Sequence, residues 1–500
     1  MTLVRRLLDQ AAQTPDAVAL ISGDGTELTY GELRRQVLAV RHGLLAGGLA
    51  DGDGVLFSVR PSPESLVLAL GVVAAGGVVV FADPGAGPEM FTARLRLARP
   101  RWSAAESVLY AGSRLRLVRA YARRRGLLLP NLADLQIPDE GPMRHIHVGR
   151  RLPGVPRGAL SFTRLIRGNA PEPSKDTDPD APAAVIFTSG TTANPRAVVH
   201  TQASLAAALD LFRTRLPLGP GDVVHTDQLM LGLPTLIAGA RWSMPPLFCP
   251  PADFARLMRG RGATHTFCVP VHLAEILDAV PELPPSVRHV LLGAAPAPAP
   301  ILRRAIAAAP SAEVLSVYAM TEILPVAIAS AKEKLAHTAS GDFLGAPLPG
   351  VGARLAEDGE LLLSGPNLCR GYLGADPIPE LPTGDLARMD GDHLVLMGRK
   401  KDMLIRGKFN LYPGLYEPSI AALPDVTEAA IVGVANPQTG DEEVVLAVVG
   451  PPELATSLRR TLPDVIDHDA LPDRIIVLDE LPRSGRTSKL DRDRLRAMVT

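Results

Sequence analysis

The strongest constraint on the fold of this chain is that short apolar runs alternate with helical patterns along most of its length. The strand-like runs lie at 185–187, 290–292, 314–317 and 475–478, and helix-like stretches near them include 201–211 and 301–309. Continuous apolar runs of this kind are typical of strands buried on both faces, which occur where helices connect parallel strands. The alternation therefore predicts an α/β fold with largely parallel sheets.

The length of the chain predicts more than one domain. It has 500 residues, whereas a domain usually contains about 100–200. Near Gly398 the charged sequence GRKKD interrupts the apolar pattern, and about 100 residues follow it. We therefore expect a large N-terminal domain of layered sheets and helices at 1–400 and a small C-terminal α/β domain at 401–500.

Charge and cysteine content exclude several classes of protein. Lysine and arginine total 52 against 53 acidic residues, so the basic surplus of a nucleic-acid-binding protein is absent. Three widely spaced cysteines form neither a disulfide framework nor a paired metal-ligand pattern, which favours a reducing, cytoplasmic location. Gly76 and Gly77 interrupt the longest uncharged apolar run, 66–82. That run predicts a buried helix, a tight turn and a strand rather than a membrane span.

The most informative motif follows the apolar run at 185–187. It reads Thr188, Ser189, Gly190, Thr191, Thr192, Ala193, Asn194, Pro195, Arg196. Small residues let backbone N–H groups converge on phosphate oxygens, hydroxyls add further donors, and Arg196 would balance the phosphate charge. A flexible surface loop is the alternative, but it explains neither the strand before this segment nor the Pro-Arg pair after it. The spacing differs from a Walker A loop.

This loop resembles the signature loop of the ANL superfamily, which contains acyl-CoA synthetases, peptide-synthetase adenylation domains and luciferases. The family loop reads T-S-G-T-T-G-x-P-K-G, so Ala193, Arg196 and Ala197 are departures from it. Further motifs match in the family's order: 29–33 (T-Y-x-E-L), 318–322 (Y-G-x-T-E, with Ala319 for glycine), 383–385 (T-G-D), 398–402 (hinge, G-R-K-K-D) and 488–492 (G-K-x-D-R, with Ser488 for glycine). The resemblance extends from about Leu3 to the C-terminus.

The resemblance implies a site for ATP and Mg²⁺. Its expected nucleotide contacts are the loop residues Thr188, Ser189, Gly190, Thr191 and Thr192, the adenine-bordering Gly293, Ala294 and Ala295, and Tyr318, Asp385 and Arg399. By the same resemblance Tyr318 stacks on adenine, while Asp385 accepts hydrogen bonds from the ribose hydroxyls near Arg399. The resemblance further implies that Thr321 contacts the α-phosphate and that Glu322 binds Mg²⁺.

The resemblance also implies a two-step reaction. Arg196 and Mg²⁺ would hold the outer phosphates while Lys489 reaches the carboxylate of a small acid, giving an acyl adenylate and pyrophosphate. The C-terminal domain, a mobile lid, would then turn about Lys401. Gly407 stands where relatives build the pantetheine tunnel, so the resemblance favours transfer to coenzyme A or to the pantetheine of an acyl carrier protein. It implies an AMP-forming acid ligase. We expect this enzyme to be a monomer or homodimer and to act in secondary metabolism.

Two alternatives remain open from the sequence. The segments 82–87 and 321–326 resemble olefinic β-lactone synthetases, in which a β-hydroxyl group attacks the adenylate. The glycine departures would also suit a catalytically silent binding or scaffold protein, although Glu322, Asp385, Arg399 and Lys489 are retained.

The sequence also leaves open which residues line the acyl pocket. Its candidate lining residues, each of which also suits an ordinary core, are Val269, His272, Gly293 and Ala319, with the same ambiguity for His200 and His225.

Overall fold

The computed structural model describes residues 2–82, 88–124, 130–135, 137, 141–168, 170, 177–187, 195–337, 341–402, 404–406, 409–411, 413–435, 442–466, 470–484 and 489–500. The chain forms two compact units. The first unit contains Met1–Pro250, Thr321–Leu324 and Pro366–Pro379. The second unit contains Pro251–Met320, Pro325–Gly365 and Glu380–Thr500.

The described residues form sixteen α-helices. They are α1 (Leu3–Gln13), α2 (Tyr30–Ala46), α3 (Pro63–Ala74), α4 (Pro88–Ala98), α5 (Ser107–Arg114), α6 (Arg116–Arg124), α7 (Phe162–Leu165), α8 (Gln202–Arg215), α9 (Leu229–Ile237), α10 (Pro251–Gly260), α11 (Pro270–Ala279), α12 (Ala299–Ala308), α13 (Ala331–Ala336), α14 (Pro413–Ala421), α15 (Leu454–Thr461) and α16 (Arg492–Val499). No helix among these residues is long and apolar enough to cross a membrane.

The same residues form twenty-eight strands. They are β1 (Val18–Ile21), β2 (Glu27–Thr29), β3 (Gly54–Ser58), β4 (Val78–Phe81), β5 (Trp102–Glu106), β6 (Arg144–Val148), β7 (Leu160–Ser161), β8 (Pro182–Phe187), β9 (Ala197–Thr201), β10 (Val223–His225), β11 (Arg241–Ser243), β12 (His265–Cys268), β13 (His289–Leu292), β14 (Glu313–Tyr318), β15 (Ala327–Ser330), β16 (Asp342–Gly345), β17 (Gly352–Leu355), β18 (Glu360–Ser364), β19 (Gly371–Tyr372), β20 (Leu381–Asp390), β21 (His393–Arg399), β22 (Leu404–Arg406), β23 (Phe409–Leu411), β24 (Glu428–Ala435), β25 (Glu442–Val449), β26 (Arg474–Leu478), β27 (Arg483–Ser484) and β28 (Lys489–Leu490).

The first unit is built on an eight-stranded sheet of order β19-β9-β8-β4-β3-β5-β6-β7. The strands from β8 to β7 in this order pair in parallel, whereas β9 and β19 are antiparallel additions at one edge. Helices cover the apolar strands and complete a core in which Leu33, Val67 and Trp102 are buried. Local sequence fixes where helices begin. Thr29 caps α2 in a reciprocal box with Glu32.

The second unit contains the strand set β12–β15 and several small sheets. Strands β12, β13 and β14 pair in parallel, and β15 joins β14 antiparallel. A five-stranded sheet has the order β16-β21-β20-β18-β17, and a three-stranded sheet has the order β24-β25-β26. Two apolar clusters surround β24–β26, with Ile431, Leu446 and Leu495 fully buried. These clusters contain only residues from Leu404 onward.

The fold confirms the α/β prediction but corrects one detail of it. The run at 66–82 forms α3, a turn at Gly76 with φ +84° and strand β4, as predicted. The prediction of largely parallel sheets is wrong for the five-stranded sheet, where all four pairings are antiparallel. Parallel strands need a long crossover, whereas β17–β18 and β20–β21 are joined by short turns at Gly359 and Gly391, both at positive φ. The predicted division after residue 400 stays a prediction.

Candidate active site

Three predicted nucleotide contacts lie together in the second unit. Tyr318 is the last residue of β14, at the carboxyl end of a strand in a parallel set, where ligands commonly bind in α/β proteins. Asp385 and Arg399 lie on neighbouring antiparallel strands and are register partners, so the two side chains face each other across the pair. We call Tyr318, Asp385 and Arg399 the Asp385 group.

Asp385 is the centre of this group. Its side chain is 2% exposed, and its Oδ2 accepts a hydrogen bond of 2.7 Å from the Tyr318 hydroxyl. Its Oδ1 lies 2.9 Å from Arg399 Nε in an ion pair. Among the described residues, however, no donor makes a hydrogen bond of good geometry to this oxygen. A buried carboxylate normally has its acceptor sites filled, so Oδ1 is free to accept a further donor.

Burial and backbone hydrogen bonds keep Tyr318 as a donor and hold Asp385 in place. Burial, and next the charge of Asp385, raise the pKa of Tyr318 well above its usual value, so its hydroxyl remains a donor. The Asp385 backbone N–H donates to Thr383 Oγ1 at 3.0 Å, and Gly384 N–H donates to a Glu360 carboxylate oxygen at 2.8 Å. The TGD sequence lies inside strand β20, with Gly384 at φ +69°.

A second set of predicted residues lies together in the first unit. Glu322 is 9% exposed, and its Oε1 accepts a hydrogen bond of 3.1 Å from the Tyr372 hydroxyl. The guanidinium of Arg196 lies over the Tyr372 ring, with Cζ 5.5 Å from the ring centroid. We call Glu322, Tyr372 and Arg196 the Glu322 group. It combines one carboxylate, one cation and an aromatic residue that contacts both.

Thr321, next to Glu322, is held through its backbone. Its carbonyl oxygen lies 2.7 Å from His200 Nε2, and a carbonyl only accepts, so Nε2 carries the proton. His200 Nδ1 lies 3.2 Å from Ser204 Oγ. Burial lowers the pKa of His200, which keeps the ring neutral with Nδ1 as acceptor. From the sequence, His200 suited either the acyl pocket or the core. In the structure its ring contacts the backbone of Thr321.

The remaining predicted residues lie elsewhere. Gly293 directly follows β13, and an added Cβ there would lie 2.7 Å from Phe267 Cζ, so a side chain at this position would require the Phe267 ring to move. Ala294 has φ +66°, and Ala295 follows it. Lys401 is in a 3₁₀ turn, Lys400–Asp402, and Lys489 is exposed on β28. Thr188, Ser189, Gly190, Thr191, Thr192 and Gly407 lie outside the described residues.

Two further histidines and one tyrosine complete the comparison with the sequence. His272 makes an edge contact with Phe254, with centroids 5.0 Å apart, and His225 Nδ1 lies 2.8 Å from Ser243 Oγ. His272 and Phe254 both lie in the second unit, and His225 and Ser243 both lie in the first. Each histidine therefore contacts a residue of its own unit. Tyr372 was not recognised from the sequence. Its only signal is the preceding Gly371, and its place beside Glu322 depends on the pairing of β19 with β9.

Comparison with known proteins decides the family. The family model for AMP-binding enzymes matches residues 7–373, and the model for the C-terminal domain of AMP-binding enzymes matches residues 416–488. The chain belongs to the AMP-binding enzyme family. Within it, the chain is 28% identical over 525 residues to a feruloyl-CoA synthase of Amycolatopsis sp, covering 95% of each chain.

Other members of the family are similarly related. An indoleacetate–CoA ligase of Aromatoleum aromaticum is 30% identical over 384 residues, covering 69% of this chain and 73% of the relative. The crystal structure of ATP-bound MatB from Rhodopseudomonas palustris superposes with a TM-score of 0.79 at 25% identity, covering 100% of this chain and 99% of MatB. Membership of the AMP-binding enzyme family confirms the predicted ANL superfamily and the predicted AMP-forming acid ligase. The comparisons do not favour the β-lactone or scaffold alternatives.

Proposed function

We propose that this chain activates a small carboxylic acid with ATP, releases pyrophosphate and transfers the acyl group to a thiol. The observation that carries this proposal is the acceptor capacity of Asp385 Oδ1, which is buried and accepts no hydrogen bond among the described residues. A ribose hydroxyl would supply the donor that this oxygen lacks. The ring of Tyr318 would then stack on adenine, and Arg399 would stay paired with Asp385.

The Glu322 group suits the phosphate end of ATP. Arg196 is an exposed cation at the end of the predicted phosphate loop, so it would pair with phosphate oxygens. Glu322 forms no ion pair among the described residues, and a buried carboxylate of this kind fits a hard cation such as Mg²⁺. The described residues contain no group of three or more His, Cys, Asp or Glu side chains that could hold a metal ion. Bound at Glu322, Mg²⁺ would neutralise phosphate charge.

The chemistry of the first step follows from these groups. A carboxylate oxygen of the acid attacks the α-phosphorus of ATP, and the bond from that phosphorus to the pyrophosphate oxygen breaks. Two anions meet in this step, so cationic groups must stabilise the developing negative charge. We assign this role to Lys489 and Arg196, with Thr321 at the α-phosphate. Holding both reactants together lowers the entropic barrier, an effect that reaches roughly 7–11 kcal/mol in well-oriented intramolecular reactions.

The second step transfers the acyl group. The sulfur of a thiol attacks the carbonyl carbon of the adenylate, the thiol proton passes to solvent and AMP leaves. Lys401 would be the pivot about which the C-terminal domain turns between the steps. Coenzyme A is the thiol we expect, because the relatives above are named CoA ligases. Both of those relatives are named for aromatic acids, so aryl-substituted carboxylic acids are the substrates we propose to test first.

Pyrophosphate release tests this proposal. The purified chain is incubated with ATP, Mg²⁺ and a panel of aryl, indole, medium-chain and β-hydroxy acids, with and without coenzyme A. We expect acid-dependent pyrophosphate release, and a thioester in the presence of coenzyme A. Absence of release with every acid, together with absence of ATP binding, would contradict the proposed function. A neutral product lighter than a β-hydroxy acid by one water, formed without thiol, would instead support the β-lactone route.

Several finer predictions from the sequence stay proposals. They concern an acyl carrier protein as an alternative thiol donor, a monomer or homodimer, a cytoplasmic location and a role in secondary metabolism. Size-exclusion chromatography with light scattering tests the oligomeric state. Replacement of coenzyme A by a pantetheinylated carrier protein in the thioester assay tests the acceptor.

A further inference from the structure

One short segment of the first unit joins Glu322 to the strand that follows the predicted phosphate loop. We call residues 368–373 the bridging segment. On one side, Cys369 N–H donates to the Glu322 carbonyl oxygen at 2.8 Å. On the other side, Arg370 N–H and Leu373 N–H donate to carbonyl oxygens of β9, at 2.9 and 2.8 Å. The backbone of the bridging segment is therefore fixed at both ends, and Tyr372 has a defined position between them.

The side chain of Tyr372 contacts two opposite charges. Its hydroxyl donates to Glu322 Oε1 at 3.1 Å, and its ring face lies under the Arg196 guanidinium. A tyrosine offers a donor at its tip and a negative ring face. It can therefore satisfy an anion and a cation at the same time.

Among the described contacts, no ion pair joins Arg196 to Glu322. Opposite charges in a partly buried site attract each other strongly, and a ligand would have to break a direct pair before it could use either charge. We propose that Tyr372 is a positioning residue that holds the Glu322 carboxylate and the Arg196 guanidinium apart, leaving one available to Mg²⁺ and the other to phosphate. This inference rests on the proposed function of the Glu322 group.

Two substitutions separate the contributions of the hydroxyl and the ring. Tyr372→Phe keeps the ring under Arg196 and removes the donor to Glu322, whereas Tyr372→Leu removes both. Equilibrium binding of ATP is measured by calorimetry over a range of Mg²⁺ concentrations, without acid or turnover. Tyr110→Phe is the control, because Tyr110 is a tyrosine of the same unit, is buried, and has a hydroxyl that donates to the backbone carbonyl of Ser103 at 3.2 Å.

We expect Tyr372→Phe to raise the Mg²⁺ concentration for half-maximal ATP binding by about tenfold, since a hydrogen bond to a charged group is lost. Its ATP Kd at saturating Mg²⁺ should stay within about twofold of wild type. Tyr372→Leu should show the same Mg²⁺ shift and also weaken ATP binding at saturating Mg²⁺ by about fivefold, because the cation–π contact is lost. Tyr110→Phe should change neither quantity.

The outcomes distinguish this inference from the proposed function. An unchanged Mg²⁺ dependence in Tyr372→Phe, with wild type binding ATP normally, overturns the role of Tyr372 and leaves the proposed function intact. Equal loss in Tyr372→Phe and Tyr110→Phe, accompanied by equal drops in melting temperature, also overturns it, because the effect would then be structural. Failure of the wild-type chain to bind ATP under any condition overturns both.

Discussion

The Asp385 group and the Glu322 group differ in how each places its carboxylate relative to its cation. In the Asp385 group the carboxylate and its cation are already in contact, with Asp385 Oδ1 2.9 Å from Arg399 Nε. In the Glu322 group the carboxylate and the cation are separated by the ring and hydroxyl of Tyr372. In the first group the carboxylate is already paired with its cation before a ligand binds. In the second group both charges remain available to a ligand.

This difference indicates what each group can contribute to catalysis. A ligand that reaches the Asp385 group adds a hydrogen bond to a preformed ion pair, and it gains about the same energy in the ground state and the transition state. Such uniform binding lowers KM without raising kcat. A ligand that reaches the Glu322 group can pair with two charges whose interactions strengthen as negative charge develops on phosphate. We therefore expect the Asp385 group to contribute mainly to affinity for ATP and the Glu322 group mainly to the rate of the first step.

The largest effect should come from a residue that belongs to neither group. Lys489 is exposed on β28, and we expect Lys489→Ala to reduce acid-dependent pyrophosphate release by about 10²–10³-fold, as for loss of a group that stabilises developing charge. ATP binding should be nearly unchanged, because the two groups that we propose to bind the nucleotide remain. Lys332→Ala, at an exposed lysine of α13, is the control. Undiminished acyl-adenylate formation in Lys489→Ala would sink the assignment of this lysine.

The Asp385 group should respond in KM rather than in kcat. We expect Asp385→Ala to raise KM for ATP by about 10–100-fold, the loss of one to two charge-assisted hydrogen bonds, with a much smaller change in kcat. Asp390→Ala lies on the same strand, β20, and its carboxylate pairs with Arg388 at the surface, so it controls for damage to the strand. A lowered melting temperature with an unchanged KM would show that Asp385 has only a structural role.

Sequence motifs predicted most members of these groups but not how they are joined. Tyr318, Asp385 and Arg399 come from three separate motifs, and their convergence depends on the register in which β20 pairs with β21. A one-residue change in that register would turn the side chains to opposite faces, and nothing local in the sequence fixes it. The prediction for 188–192 lies outside the described residues and remains a prediction.

Tyr372 and His200 show the limit of motif reasoning more clearly. Neither contact of Tyr372 is near it in the chain, since Glu322 and Arg196 come from other segments. The position of Tyr372 follows from backbone hydrogen bonds of the bridging segment to β9, which are independent of side-chain identity. His200 similarly acts on the backbone of Thr321. Residues that position others carry no spacing signature, so only the folded chain reveals them.

The smallest predicted effect gives the sharpest comparison of the two groups, because it pairs two equivalent substitutions. Tyr318→Phe removes the hydroxyl that donates to Asp385 Oδ2 at 2.7 Å, just as Tyr372→Phe removes the donor to Glu322. Arg399 still pairs with Asp385, and the ring still offers a stacking surface. We therefore expect the ATP Kd of Tyr318→Phe to rise by only about threefold, less than the full value of a hydrogen bond to a charged group. This rise should be the same at every Mg²⁺ concentration, since we propose no role in metal binding for the Asp385 group. If Tyr318→Phe instead shifts the Mg²⁺ dependence as Tyr372→Phe is expected to, the division of labour between the two groups is wrong.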